Sequence, residues 1–161
     1  DNVDLQRQTF LRTQSSLIDF NVLSERDDLK FLQDGLRKPT VIVLKKNGRI
    51  LKKWREILLS CQSCKGKFLM IFDDEGDNAS LNTLVNKNRQ STINKNLDAI
   101  KDSASSCVYF EVTATPQSLI LQSEISGWHP KFVNYFKPGK GYLGGDFFYA
   151  DPKPFCIKFT K

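Results

Sequence analysis

The apolar positions of this chain change period several times, and each change marks an element. Val3, Leu5, Phe10, Leu11, Leu17 and Ile18, with Gln and Arg between them, predict a helix over 3–18 that Asp1 or Asn2 can cap. Asp27 and Asp28 ahead of Leu29, Phe31 and Leu32 predict a short second helix ending before Gly35. After Pro39 the pattern switches to a β-branched run, Thr40-Val41-Ile42-Val43-Leu44, as in a strand covered on both faces. Asn47-Gly48 breaks the run, and Ile50, Leu51, Trp54, Ile57 and Leu58 restore helical spacing over 49–59. Phe68–Phe72, FLMIF, predicts a second buried strand. A polar stretch from Asn78 to Ser91 reads as loop or partly ordered chain. Residues 93–100 predict a helix with Leu97 and Ile100 inward, and Cys107–Val112 a third strand. Pro116 then suits the first turn of a further helix.

Strands alternating with helices predict an α/β fold with a mostly parallel sheet, whose carboxyl edge is where ligands bind. Residues 127–161 differ: Trp128, Pro130, Tyr135, Pro138, Tyr142 and Phe147 fall among glycines, which predicts an irregular aromatic-rich extension. The expected division is therefore 1–126 and 127–161.

Hydrophobic residues make up 40% of the chain and charged residues 26%, which sets it apart from disordered sequences. The net charge of +6 favours an anionic partner such as nucleic acid. No apolar run reaches the length of a membrane span, and no secretory signal stands at the start, so the expected location is cytoplasmic. The start at Asp1, without Met, reads as an excised segment. Cys61-x-x-Cys64 invites a zinc or redox reading, but Cys107 and Cys156 lie far off in sequence, and reduced cysteines are the expectation.

FLMIF runs directly into Asp73, Asp74, Glu75 and Asp77. A strand that fixes these carboxylates at one sheet edge lets Asp74 hold Mg²⁺ and Glu75 polarise an attacking water. A solvated acidic turn is the alternative. Thr113 and Thr115 close the Cys107–Val112 strand and can bond to the acidic loop, or simply cap the next helix. Lys45, Lys46, Arg49, Lys52 and Lys53 surround the end of the 40–44 strand as a candidate nucleic-acid patch, or as a solvated face.

DDEGDNASLNT, at Asp73–Thr83, resembles the Walker B segment of the Z1-domain family, a branch of superfamily 2 helicase-like ATPases. DNVDLQRQTFLR, VIVLKKNGRILKKW, VTATPQSLIL and PGKGYLGGDFF resemble further segments of that family in the same order. The resemblance implies a partial RecA-like three-layer motor domain from a DNA-processing system such as restriction or phage defence. It implies Asp74 as the magnesium aspartate, Glu75 as the catalytic carboxylate, and Asp77 as the acid linked to Thr113 and Thr115 in the third helicase motif. Gly76 departs from it, since many members carry Ala there, and a glycine is expected to loosen the loop.

No G-x-x-x-x-G-K-[ST] occurs in the chain. The resemblance places that phosphate-binding loop upstream of Asp1, and a second motor domain with its arginine finger downstream of Lys161. ATP and Mg²⁺ are thus expected of a longer parent, with DNA as partner, and the isolated chain is expected to be inactive. Two other readings remain open. One is a non-catalytic DNA- or protein-binding scaffold on the motor fold. The other is a divalent-metal nuclease using Asp73, Asp74, Glu75 and Asp77, although no E-x-K arrangement completes such a site.

Overall fold

The computed structural model describes residues 3–76, 91–115, 130–137, 139–142, 144 and 147. The chain divides into two compact units, residues 1–129 and 130–161. The helices and strands described below belong to the first. In order they are α1 (Val3–Ser16), β1 (Asn21–Ser24), α2 (Asp28–Asp34), β2 (Thr40–Val43), α3 (Gly48–Ser60), β3 (Phe68–Asp74), α4 (Thr92–Asp102) and β4 (Ser106–Val112). The result is a mixed α/β fold with small parallel sheets. β1 pairs with β2 and β3 with β4, both in parallel, as two two-stranded ladders.

β1 was not expected from the sequence. It has only four residues, and its two central ones, Val22 and Leu23, are buried. Its end is fixed by Asp27, whose Oδ2 accepts the Ser24 backbone N–H at 2.7 Å and the Ser24 hydroxyl. These bonds hold the Asp27 carboxyl below its ordinary range. They turn the chain into α2, which begins at the next residue.

The helices anchor through caps and apolar faces. The Asn47 side chain accepts the Arg49 N–H at 2.9 Å and the Ile50 N–H at 3.4 Å, so the Asn-Gly break is also the N-cap of α3. Leu51, Trp54 and Leu58 then recur on one buried face. Ser91 caps α4 by accepting the Asn94 N–H at 3.2 Å. Gly48 sits close to Thr92, where a Cβ would lie 3.3 Å from the Thr methyl. That approach brings Leu51 and Leu97 together, with Tyr109 packed against them. Buried Asn96 ties the two helices. It donates to the Gly48 and Thr92 carbonyls at 3.4 and 2.8 Å, and accepts from the Arg55 guanidinium at 2.9 Å.

The core gathers Leu23, Phe31, Trp54, Leu58, Cys64 and Ile100, with Ile42, Leu69 and Ile71 packed against it. Trp54 is wholly buried, meets Phe31 edge-on at 5.6 Å, and donates its indole N–H to the Glu25 carbonyl at 3.3 Å.

Two expectations need correction. FLMIF is not buried on both faces: Phe68, Met70 and Phe72 are exposed, and only the Leu69, Ile71 and Asp73 side is covered. The continuous apolar run hid the strand's alternation, because its outward positions are as apolar as its inward ones. β2 is likewise half-buried throughout rather than fully covered. The helix expected from Pro116, the Asp1 or Asn2 cap, and the polar stretch 78–90 lie outside the described residues.

Candidate functional site at the carboxyl ends of β3 and β4

β3 and β4 run in register, with Phe72 opposite Phe110, Asp73 opposite Glu111 and Asp74 opposite Val112. Because partners in a ladder share a face and side chains alternate along it, Asp73 and Glu111 share the inner face. Asp74 faces the other way. The pairing continues past the strand, since the Gly76 N–H donates to the Val112 carbonyl at 3.0 Å. The acidic turn therefore lies beside the segment leading to Thr113 and Thr115.

The three consecutive acids occupy different environments. Asp73 is buried, with 7% of its surface accessible. Its Oδ1 accepts from the Lys46 ammonium at 2.7 Å and its Oδ2 from the Tyr109 hydroxyl at 2.6 Å. Charge-assisted bonds of this kind make the burial of a carboxylate tolerable. Asp74 is exposed, and its Oδ1 accepts the Glu75 backbone N–H at 3.1 Å. Glu75 is exposed with a left-handed backbone, φ +54°. That conformation is costly for a residue with a side chain and persists where surroundings impose it. Lys46 supplies such a restraint: besides Asp73 it donates to the Asp74 carbonyl at 3.0 Å and the Glu75 carbonyl at 2.6 Å.

Gly76 has a different role from the loosening expected of it. It is buried, and a Cβ there would lie 2.8 Å from the Glu111 Cβ and 3.3 Å from the Glu111 Cα. Its φ does not require glycine. What requires glycine is the approach of β4. Behind it, Glu111 is half-buried and its Oε1 is shielded from solvent without a hydrogen-bond partner. Burial, then the neighbouring Asp73 charge, pushes its carboxyl up to about 7, against the opposing pull of Lys46.

At the end of β4, the Thr113 hydroxyl accepts the Thr115 N–H at 2.9 Å, and the two hydroxyls lie 3.4 Å apart. This closes a local hydroxyl turn. Asp77, the expected partner of these threonines, lies outside the described residues.

The five basic residues do not form one uniform patch. Lys46 is turned into the acidic site, Lys45 lies 4.0 Å from Glu25, and Lys53 pairs with Asp28 at 2.8 Å. Arg49 and Lys52 are exposed. Sequence reasoning missed Lys46 as a ligand of the acidic turn, and missed Tyr109 and Glu111 altogether. The available signal was strand alternation, which puts Tyr109 and Glu111 on one side of β4.

Among the described residues no group of three His, Cys, Asp or Glu side chains is placed to hold a metal ion. Cys61, Cys64 and Cys107 are free thiols, and burial pushes the Cys107 thiol up, away from reactivity. An open depression of about 440 Å³ lies at the other end of β3, beside Gly35, Arg37, Cys61 and Lys67, away from these acids. No described helix is long and apolar enough to cross a membrane. No family model, curated protein or solved structure matches the chain.

Proposed function

We propose that this chain supplies the magnesium-nucleotide carboxylates and the coupling segment of a nucleic-acid-dependent, helicase-like ATPase with a partial RecA-like motor domain. The observation that carries the reading is the in-register parallel pairing of β3 with β4. It sets the Asp73–Glu75 turn next to Thr113–Thr115 at the edge where parallel α/β sheets bind ligands.

The environments of the acids divide their work. Asp73 is committed to Lys46 and Tyr109, so it shapes the turn. Asp74 is exposed at the strand end, which suits a cation that keeps most of its waters and needs only one or two protein carboxylates besides substrate phosphates. Asp74 would hold magnesium there, and the ion would supply neutralisation of phosphate charge. Glu75 orients and deprotonates the attacking water. In this reading Asp77, which lies outside the described residues, has the coupling role towards Thr113 and Thr115. The phosphate-binding loop and second motor domain come from other segments of a longer protein. DNA is the partner, held without sequence preference by Arg49 and Lys52, while Lys45, Lys46 and Lys53 face Glu25, Asp73 and Asp28 and add little net field.

Phosphate release measured on this chain and on a protein extended by a phosphate-binding loop segment tests the proposal. Turnover is expected only in the extended protein, where Glu75→Gln abolishes hydrolysis and spares nucleotide binding. Robust turnover by residues 1–161 alone, or full activity with Gln at position 75, overturns it.

One observation favours a second reading, a protein-binding scaffold: Phe68, Met70, Phe72 and Val112 are exposed along β3 and β4. For that reading the same extended protein shows no turnover in any form.

A further inference from the structure

The group left unexplained by the proposed function is Glu111. It faces Asp73 across the β3–β4 ladder, and two carboxylates at directly opposed positions repel when both are charged. The charged and titratable groups that meet it among the described residues are Asp73 from β3, Lys46 from the segment after β2, and Tyr109 two positions earlier on its own strand. Asp73 already takes the Lys46 ammonium and the Tyr109 hydroxyl. One Glu111 oxygen is therefore buried with no donor. Gly76 packs against the Glu111 Cβ, so the turn itself forms part of the wall around that side chain.

We propose that Glu111, Asp73 and Lys46 form a proton-operated latch on the 74–76 turn. With Glu111 protonated, Asp73 alone claims the Lys46 ammonium. The same ammonium then spans the Asp74 and Glu75 carbonyls and holds Glu75 in its left-handed conformation. Loss of the Glu111 proton to solvent places a second negative charge beside Asp73. The new carboxylate lowers its energy by drawing Lys46 away or by reaching water, and reaching water displaces Gly76. Both responses break the hold on the turn, and the Gly76 N–H bond to the Val112 carbonyl opens with it. Asp74 lies on the opposite face of β3, so the latch acts on the turn's shape rather than on that side chain directly.

The sign follows from linkage. The Glu111 carboxyl stands at about 7 when the turn is closed, and returns towards its ordinary 4.5 when the turn opens. The closed turn is therefore fully favoured below the ordinary value. Its advantage shrinks by up to about tenfold in the opening constant per pH unit through that window, and levels once the closed-state value is passed.

Amide hydrogen exchange at Gly76, corrected for the intrinsic pH dependence of exchange, tests the latch in the chain as it stands. The wild-type opening constant is expected to climb between pH 4.5 and about 7 and then level. In Glu111→Gln, a neutral side chain of the same length, it is expected to stay flat. A flat wild-type profile, or the same climb in Glu111→Gln, overturns the proposal. A second measurement does not depend on that variant folding: the ¹³C shift of the wild-type Glu111 carboxyl should titrate near 7, and lower in Asp73→Asn. An ordinary glutamate midpoint overturns the latch equally. Neither readout requires nucleotide or DNA, so the latch and the ATPase reading fail independently.

Discussion

The two faces of the β3–β4 pair are built from similar material and end in different states. The inner face carries Leu69, Ile71 and Asp73 opposite Cys107, Tyr109 and Glu111; the outer carries Phe68, Met70 and Phe72 opposite Ser106, Val108 and Phe110. By composition the outer face is the more apolar. Yet Leu69 and Ile71 pack on the core around Trp54, whereas Phe68 and Phe72 are 59% and 68% exposed. Parallel strands are normally covered on both faces, since their crossovers lay helices over each side. Here α3 and α4 contribute the buried side chains that complete the inner face. The difference teaches that hydrophobicity reports which surfaces favour burial, while only topology reports which of them obtain it.

The contrast is broken most strongly from the inner side. Trp54→Ala removes a wholly buried side chain and the indole bond to the Glu25 carbonyl. It is expected to cost about 3–5 kcal/mol, because the lining made by Phe31, Leu23 and Ile100 can collapse only partly into the space. Urea unfolding followed by far-UV circular dichroism measures it. A cost below about 1 kcal/mol would mean that the inner face needs no tight core beneath it.

A middle-sized effect is expected where the inner face meets the acidic turn. Gly76→Ala puts a Cβ into the Glu111 side chain and close to its backbone. Overpacking of this kind typically costs about 1–3 kcal/mol. Backbone shifts should centre on residues 74–76 and 111–112, read from amide chemical-shift changes. Unchanged shifts there would show that the turn yields freely, against the close approach described above.

Most of the element order was legible in the sequence, because periodic apolar spacing identifies α3 and α4, a β-branched run identifies β2, and an apolar, aromatic-containing run identifies β4. β1 was not legible: Asn21-Val22-Leu23-Ser24 holds two apolar residues, and it becomes a strand through its parallel partner and the Asp27 bonds to Ser24. The position of the candidate site was legible as an acidic run after an apolar strand. Its internal division was not. Asp74 and Glu75 carried expected roles, but that Asp73 turns inward and is claimed by Lys46, 27 residues from it in the chain, shows only once the strand's faces are known. Glu111 was invisible for a similar reason. A single glutamate in a strand acquires meaning only when register places Asp73 opposite and Gly76 against it.

The smallest expected effect comes from the outer face, and it sharpens the comparison most directly. Phe72 is adjacent to Asp73 and Ile71 but points away from both, and it is more than two-thirds exposed. Its defined contact is a stacked pairing with Phe110, ring centroids 5.0 Å apart and planes within 9°. Loss of such a pair costs about 0.5–1.5 kcal/mol, and an already exposed ring adds little further transfer energy. Phe72→Ala is therefore expected to lower stability by about 1 kcal/mol, well below the Trp54→Ala cost, by the same urea titration. The comparison between faces rests on that gap. A Phe72→Ala cost as large as that of Trp54→Ala would mean that the outer face is covered in solution by a second copy of the chain. Such a cost would depend on protein concentration, because dissociation would then accompany unfolding. A small, concentration-independent cost leaves Phe68, Met70, Phe72 and Val112 as a true apolar surface of the isolated chain.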